Sequence, residues 1–268
     1  MTGRAEVVLR GRWAAITGAS AGIGAATAHE LARAGMSLVL GARRLPRLEA
    51  LAAELTAAYD VAVVAQALDV TDAAAVERFA TAAERAAGPA GVHLLVNNAG
   101  LARGVARIPT ATPADEAGWE EMLAVNVMGL LRVTRRFVQP MVALGSGHVI
   151  HLGSLAGLET YEGGSVYCAS KSAVRVISKA LRLELLGSGV RVTCVNPGLV
   201  NETEFSLVRL GNEEKAAAVY AGLTPLSAAD VARALAWVAG LPAHVNIEEL
   251  NLQPVDQASA QKIARRTS

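Results

Sequence analysis

The stretch Trp13-Ala14-Ala15-Ile16-Thr17-Gly18-Ala19-Ser20-Ala21-Gly22-Ile23-Gly24 joins an apolar run to a glycine-rich turn, and an amphipathic segment follows to about Ala34. The run, Trp13 to Thr17, suits a strand covered on both faces, and the segment after the turn has helical spacing. Glycines at 18, 22 and 24 let the backbone pass close to a phosphate and aim a helix N-terminus at it. Their Gly-x3-Gly-x-Gly spacing differs from the commoner dinucleotide fingerprint Gly-x-Gly-x2-Gly. A glycine-rich turn can also be purely structural, so its place between a strand and a helix carries the weight.

Working outward, the same alternation repeats. Ser37 to Gly41, Val61 to Leu68, Val92 to Val96, Gly147 to Leu152 and Val190 to Val195 are further strand candidates, separated by Ala-rich amphipathic segments. A seventh strand is expected near Glu249 to Gln253, after a helix from about Ala228 to Ala239. Runs such as Leu38-Val39-Leu40 and Leu94-Leu95-Val96 are apolar on both faces, as in a parallel sheet between two helical layers. The pattern predicts a doubly wound (Rossmann) α/β fold with a mostly parallel seven-stranded sheet and helices on both faces. With 268 residues, one domain is expected, its core running from about residue 12 to 257. The basic tail, residues 258–268, lacks apolar periodicity and is expected to be disordered or to lie on a neighbouring subunit.

Composition narrows the partners. Lys plus Arg number 25 against 24 Asp plus Glu, a net charge of +1, so there is no electrostatic footprint for nucleic acid or an anionic membrane. A small molecule is the expected partner. No apolar run reaches the length of a membrane span, and Arg4, Glu6 and Arg10 stand where a signal peptide would be apolar. A cytoplasmic protein is expected. Cys168 and Cys194 suit buried thiols, and neither they nor the five histidines, His29, His93, His148, His151 and His244, have metal-site spacing. No metal is assigned. Trp119 and Trp237 fall in helical patterns and are expected to anchor packing.

The end of the second strand bears on the choice of dinucleotide. A carboxylate there would accept from the ribose hydroxyls of NAD and repel a 2′-phosphate. The sequence has Gly41-Ala42-Arg43-Arg44 instead. Two guanidiniums without a nearby carboxylate suit the 2′-phosphate of NADP, although arginines also commonly open a solvated helix.

A second cluster carries chemistry. Tyr167 and Lys171 in Ser165-Val166-Tyr167-Cys168-Ala169-Ser170-Lys171 lie one turn apart in a helix expected to continue through Leu186. A phenol has a pKa of about 10, and an ammonium about 4 Å away supplies roughly 4 kcal/mol at an effective dielectric near 20, enough to lower it by about three units. Such a pair alone could be an ordinary surface pair. Ser154, Asn97-Asn98-Ala99-Gly100 and Asn196-Pro197-Gly198 also fall at the carboxyl ends of strands, where open α/β sheets bind ligands.

Together these motifs resemble the short-chain dehydrogenase/reductase family, single-domain type, from about Arg12 to Gln257. The resemblance implies an NADP(H)-dependent oxidoreductase that interconverts an alcohol and a carbonyl. In it, Tyr167 is the acid and base, Ser154 holds the carbonyl oxygen, Lys171 binds the nicotinamide ribose and lowers the tyrosine pKa, and Asn126 anchors a proton-relay water. Ser154 and Tyr167 would touch substrate. The implied cofactor contacts begin at the turn, with Gly18, Ser20, Ala21, Gly22, Ile23 and Gly24, and continue to Arg43 and Arg44. Asp69 and Val70 would meet the adenine. Asn98, Ala99 and Gly100, with Pro197, Gly198, Val200 and Thr203, would line the nicotinamide half beside Tyr167 and Lys171.

Pro197-Gly198-Leu199-Val200, Thr203-Glu204-Phe205-Ser206 and Leu241-Pro242-Ala243-His244-Val245-Asn246-Ile247 resemble the NADP-dependent serine and 3-hydroxy acid dehydrogenase branch. This implies a small 3-hydroxy acid or serine-like substrate whose carboxylate meets Arg209, and a homotetramer or homodimer. The segment between Gly100 and Trp119, with Arg107-Ile108-Pro109, is longer than that branch usually has and borders the substrate cleft. A ketone or aldehyde reductase of secondary metabolism is the alternative enzyme reading. A catalytically silent NADP-binding sensor or scaffold is the alternative of another class.

Overall fold

The computed structural model describes residues 9–266, so Arg4 and Glu6 lie outside the described residues. The strands are β1 (Trp13–Thr17), β2 (Ser37–Ala42), β3 (Val63–Ala67), β4 (Val92–Asn97), β5 (Gly147–Leu152), β6 (Val190–Pro197) and β7 (Glu249–Leu252). They form one sheet in the order β3-β2-β1-β4-β5-β6-β7. Every pairing is parallel, which sharpens the expected "mostly parallel". The chain first winds outward from β1 to β3, then returns so that β4 lies beside β1. That reversal opens a crevice at the carboxyl ends of β1 and β4.

Helices cover both faces. On one lie α1 (Gly22–Arg33), α2 (Leu45–Tyr59) and the Ala228–Ala239 helix. On the other lie α3 (Ala73–Ala87), the Leu130–Ala143 helix and the Ser165–Glu184 helix. Successive strand side chains point to opposite faces, so Ile16, Leu40 and Ile150 pack with Leu31, Leu48 and Leu235, whereas Ala15, Val39 and Val149 pack with Phe79, Phe137 and Met141. This explains the two-faced apolar runs. Numbered in chain order, the remaining helices are α4 (Pro113–Leu123), α5 (Leu130–Ala143), α6 (Ser165–Glu184), α7 (Phe205–Leu210), α8 (Glu213–Ala218) and α9 (Ala228–Ala239).

A buried polar chain ties the layers beneath the crevice. Asn97 Nδ2 donates to Thr134 Oγ1 at 2.9 Å, Thr134 Oγ1 meets His151 Nε2 at 3.0 Å, and His151 Nδ1 meets Ser178 Oγ at 2.8 Å. Burial drives the His151 imidazole down to about 3, aided by the Lys171 charge, so the ring works as a neutral bridge between sheet and helices.

Two expectations need correction. Trp237 is 52% exposed on α9 and anchors no core, because it projects from the face of the helix opposite Val231, Leu235 and Val238. The tail packs on its own chain through residue 266. Gln257 bridges to Ile263, the Arg265 guanidinium donates to the carbonyls of Val219 and Ala221, and Arg266 N donates to Gly222 O at 2.7 Å. Carbonyls left open around α8 and the following turn supply partners that apolar periodicity could not reveal.

Candidate active site

A cleft of about 750 Å³ runs over the carboxyl ends of the strands, from Arg43 and Arg44 at one end to Tyr167 and Arg209 at the other. Its first wall is the glycine turn. Gly18 and Gly22 have φ of +66° and +54°, in the left-handed region that favours glycine. A Cβ on Gly24 would collide with Gly18 O and come within 2.5 Å of Asn98 Nδ2, so this glycine allows turn, helix and β4 to pack together and does not itself face the cleft. Ala21 caps α1 without a side-chain acceptor, and no acidic residue occupies the first turn. The opening amides of α1 are therefore available to an anion, and the cradle fits the pyrophosphate of a dinucleotide.

The supports of this wall come from residues with other expected roles. Asn98 Nδ2 donates to Thr17 O at 3.0 Å and Gly18 O at 3.1 Å, so its side chain locks the turn. Thr17 Oγ1 accepts from the amides of Asn98 and Ala99, each at 3.0 Å, a role the sequence reading missed. Asp69 and Val70 both line the cleft. The Asp69 carboxylate accepts from the Thr71 hydroxyl at 2.7 Å and the Thr71 amide at 2.9 Å, contacts that lower its pKa.

At the basic end the two arginines separate. Arg43 is exposed, and its charge acts on Asp69 and Glu121. Arg44 turns to the glycine turn, donating from Nε and Nη2 to Ser20 Oγ at 3.2 and 3.0 Å. Contrary to expectation, a carboxylate is near. Glu204, from the segment after β6, accepts from Arg44 Nη1 at 2.8 Å and from Arg47 Nη1 at 2.8 Å. The contact spans 160 positions of sequence, beyond the reach of a local motif. Two guanidiniums against one carboxylate leave the cluster positive, so it still fits a phosphate.

At the other end, Ser154 and Tyr167 come together. Both line the cleft, and Ser154 acts to lower the pKa of the Tyr167 phenol, while Ser154 Oγ accepts from Ala156 N at 3.2 Å, which fixes its orientation at the end of β5. Burial raises the phenol above its ordinary pKa, while the Ser154 hydrogen bond and the Arg209 charge oppose that rise. Lys171 Nζ donates to Leu152 O at 2.8 Å, and burial pushes the ammonium down to about 8. Burial, and not the Lys171 charge, has the largest influence on the phenol.

Asn126 lies behind this group, in the π-helical segment Ala124–Gly129 that joins α4 to α5. Its Oδ1 accepts from Leu101 N at 2.9 Å, and its Nδ2 donates to Leu101 O at 2.8 Å and Ser170 Oγ at 3.0 Å. One lone pair on Oδ1 is left. A Cβ on Gly100 would stand 3.2 Å from Asn126 Oδ1 and 3.4 Å from Lys171 Nζ, so a larger residue there would press on the place where the two approach.

The roof comes from beyond β6. Pro197, Gly198, Val200 and Thr203 line the cleft as expected. Gln257 accepts from Leu199 N at 2.8 Å, and Ala260 N donates to Glu159 Oε2 at 2.7 Å, which brings the tail to the rim. Phe205 packs on Tyr167 with ring centroids 5.5 Å apart. The Arg209 guanidinium lies 5.2 Å from the Tyr161 ring centre and 5.7 Å from that of Tyr167. Tyr161 was missed, though a tyrosine so close in sequence to Tyr167 was the available signal. The long segment after Gly100 forms a side wall, with Gly104 N donating to Arg209 O at 2.8 Å and Arg107 pairing with Glu162 at 2.7 Å.

Residues 12–211 match the family model described as short chain dehydrogenase. The chain is 44% identical to a sulfoacetaldehyde reductase of Chromohalobacter salexigens over 91% of this chain and 94% of that protein. It is 42% identical to a serine 3-dehydrogenase of Agrobacterium fabrum, with the same shares covered, 91% and 94%. Among solved structures, the closed form of serine dehydrogenase complexed with NADP+ superposes with a TM-score of 0.86 at 38% identity, covering 95% of this chain and 100% of that one.

Proposed function

This chain belongs to the short-chain dehydrogenase family and interconverts an alcohol and a carbonyl with NADP(H); on that premise we propose that Ser154, Tyr167, Lys171 and Asn126 form its reaction centre and that its substrate is a small acid. When bound, NADPH supplies the hydride. Tyr167 delivers its phenolic proton to the carbonyl oxygen as negative charge develops there, and Ser154 donates a hydrogen bond to the same oxygen. A phenol held above its ordinary pKa is protonated at neutral pH, as a proton donor must be. Lys171, pushed down to about 8, takes up and releases a proton near neutrality and can restore that of the phenol on the side where Asn126 Oδ1 keeps a free lone pair.

The observation that carries this reading is that Ser154, Tyr167 and Lys171 line one end of the cleft that also holds Ser20 and Arg44. Arg209, whose guanidinium lies over the Tyr161 and Tyr167 rings, is the cation that would pair with the substrate's acid group. Serine and sulfoacetaldehyde both have one carbon between the reacting carbon and the acid group, so one arginine near the tyrosine would suit either. A 3-hydroxy acid or serine-like compound is therefore the proposed substrate, with a sulfonated analogue of the same length as a close variant.

The exposed apolar side chains Val176 and Leu183 on α6, and Leu186 just beyond it, support self-association into a homodimer or homotetramer. The free, buried thiols Cys168 and Cys194 suit a cytoplasmic setting. Initial rates with NADP+ and NAD+ against 3-hydroxy acids, 2-hydroxyethanesulfonate, amino-acid alcohols and simple secondary alcohols test the function. The expected result is higher kcat/KM for the acids, reduced more for acids than for neutral alcohols by Arg209→Gln. Equal kcat/KM for acids and neutral alcohols would refute the substrate assignment.

A further inference from the structure

From Asn201 to Leu210 the chain forms a cover that rests on separate parts of the cleft. It enters through Glu202, whose φ of 59° is left-handed. Thr203 lies on the first turn of α1, where a Cβ on Gly22 would come within 3.1 Å of Thr203 Cγ2. Phe205 and Arg209 rest on Tyr167, and Arg209 O is held by Gly104 N at 2.8 Å. Between these contacts Glu204 reaches sideways to Arg44 and Arg47. Its Oε1 is 2.9 Å from Arg44 Nη1 and 2.8 Å from Arg47 Nη1, and its Oε2 is 2.8 Å from Arg44 Nη1.

Arg44 is thus engaged on two edges. Nε and Nη2 face Ser20 Oγ, on the edge turned to the glycine turn, while Nη1 holds Glu204. A planar guanidinium can serve both at once, because its donors lie in a fixed fork. A 2′-phosphate at the Ser20 edge would hold the plane rigidly, and the carboxylate on the far edge would be fixed with it. Charge also favours the dianion. Arg44 and Arg47 keep one net positive charge after Glu204, and Arg43, which also faces Asp69 and Glu121, adds to the local positive field. A cofactor with only a 2′-hydroxyl puts no anion on the Ser20 edge and leaves the Arg44 plane held by Ser20 and Glu204 alone.

We propose that Glu204 is a positioning residue that transmits occupancy of the 2′-phosphate site to the cover, so that NADP(H), and not NAD(H), sets Phe205 and Arg209 over Tyr167. The proposal rests on the assignment of Ser20 and Arg44 as the 2′-phosphate site. Glu204 acts through Arg44, and its effect falls on substrate binding more than on the chemical step. The coupling is reciprocal, so closure of the cover over substrate tightens NADP(H) in turn. Because Arg44, Arg47 and Glu204 are each at least two-fifths exposed, the linkage is modest, an effect of about three- to tenfold.

The test combines hydrogen–deuterium exchange of peptides covering residues 201–211 with nucleotide affinity and steady-state kinetics, for the unmodified enzyme and Glu204→Gln. Exchange is followed without nucleotide, with saturating NADP+ and with saturating NAD+. In the unmodified enzyme, NADP+ is expected to slow exchange of this segment more than NAD+ does, and Glu204→Gln abolishes the difference. The variant's substrate KM rises about three- to tenfold, with kcat within about twofold. If Glu204→Gln retains the NADP+-specific protection, or its substrate KM is unchanged, the proposal is overturned. Equal affinity of the unmodified enzyme for NADP+ and NAD+ would overturn the Ser20–Arg44 assignment itself, and it shows in the affinities before any exchange is measured.

Discussion

Replacing Tyr167 with Phe removes one oxygen atom and separates proton transfer from everything else the side chain does. The ring is 8% exposed and packs with Leu101, Ala102, Met122 and Phe205, contacts a phenylalanine keeps. What disappears is the hydroxyl and any hydrogen bond it makes, while Ser154 Oγ still accepts from Ala156 N at 3.2 Å. A typical hydrogen bond contributes about 0.5–1.5 kcal/mol, so the Tm should fall by only a few degrees. NADPH affinity should change little. Turnover should fall about 10²- to 10⁴-fold, equivalent to roughly 2.7–5.4 kcal/mol of barrier, and the loss should appear in kcat, because the proton transfer belongs to the transition state. The pH profile gives an independent check. Burial holds the phenol protonated, so in the unmodified enzyme the reductive kcat should be flat between about pH 6 and 8, while the oxidative rate, which needs the phenolate, should rise over the same range. Steady-state rates in both directions, with NADPH titration and thermal melts, decide the matter. A Tyr167→Phe enzyme that keeps more than about a tenth of kcat, or keeps the oxidative pH dependence, would refute the acid and base role.

Two further outcomes follow from the geometry. Arg44→Ala should lower kcat/KM for NADPH about ten- to a hundredfold and for NADH much less, whereas Arg43→Ala should have the smaller effect because that side chain is exposed and its charge acts on Asp69; equal losses for both nucleotides would refute the assignment. Stability should fall in mild acid. His151 is held at about 3 in the fold against an ordinary 6.5, so the unfolded chain binds the proton first, and stability present above about pH 6.5 is lost toward pH 3 at up to roughly 1.4 kcal/mol per pH unit. Denaturant midpoints at about pH 7.5 and 5.5 measure this loss, and a non-titrating His151→Gln variant should show a shallower slope.

How much of this the sequence revealed depends on the range of the interaction. The first and fifth strands match at both ends, because apolar runs closed by glycine or serine are local signals. The third was expected from Val61 to Leu68 but is confined to Val63–Ala67, since Asp60 takes a left-handed φ of 53° and delays entry into the sheet. Ser154 and Tyr167 both line the cleft, because strand ends and helix turns fix side chains within a few residues of a motif. Glu204 on Arg44, the tail on Glu159 and the lysine ammonium on Leu152 O were not legible. Each joins a flexible side chain or an irregular segment to a partner outside its own motif, and no periodicity encodes such a meeting.

The tail contacts also bear on how the protein is made. The cleft takes its floor from Gly18 and part of its rim from Ala260, so its walls emerge from the ribosome far apart in time. A nascent chain halted after β7 has every strand of the sheet but lacks Gln257, which holds Leu199 N, and Ala260, which ties the rim to Glu159. Such a chain can begin folding as a unit, yet its roof is unfastened. Ligand stabilises only states that bind it, so the cellular NADP(H) pool would protect finished molecules and leave truncated ones to proteases. The cofactor would then serve as a check on completeness before it serves as a reactant.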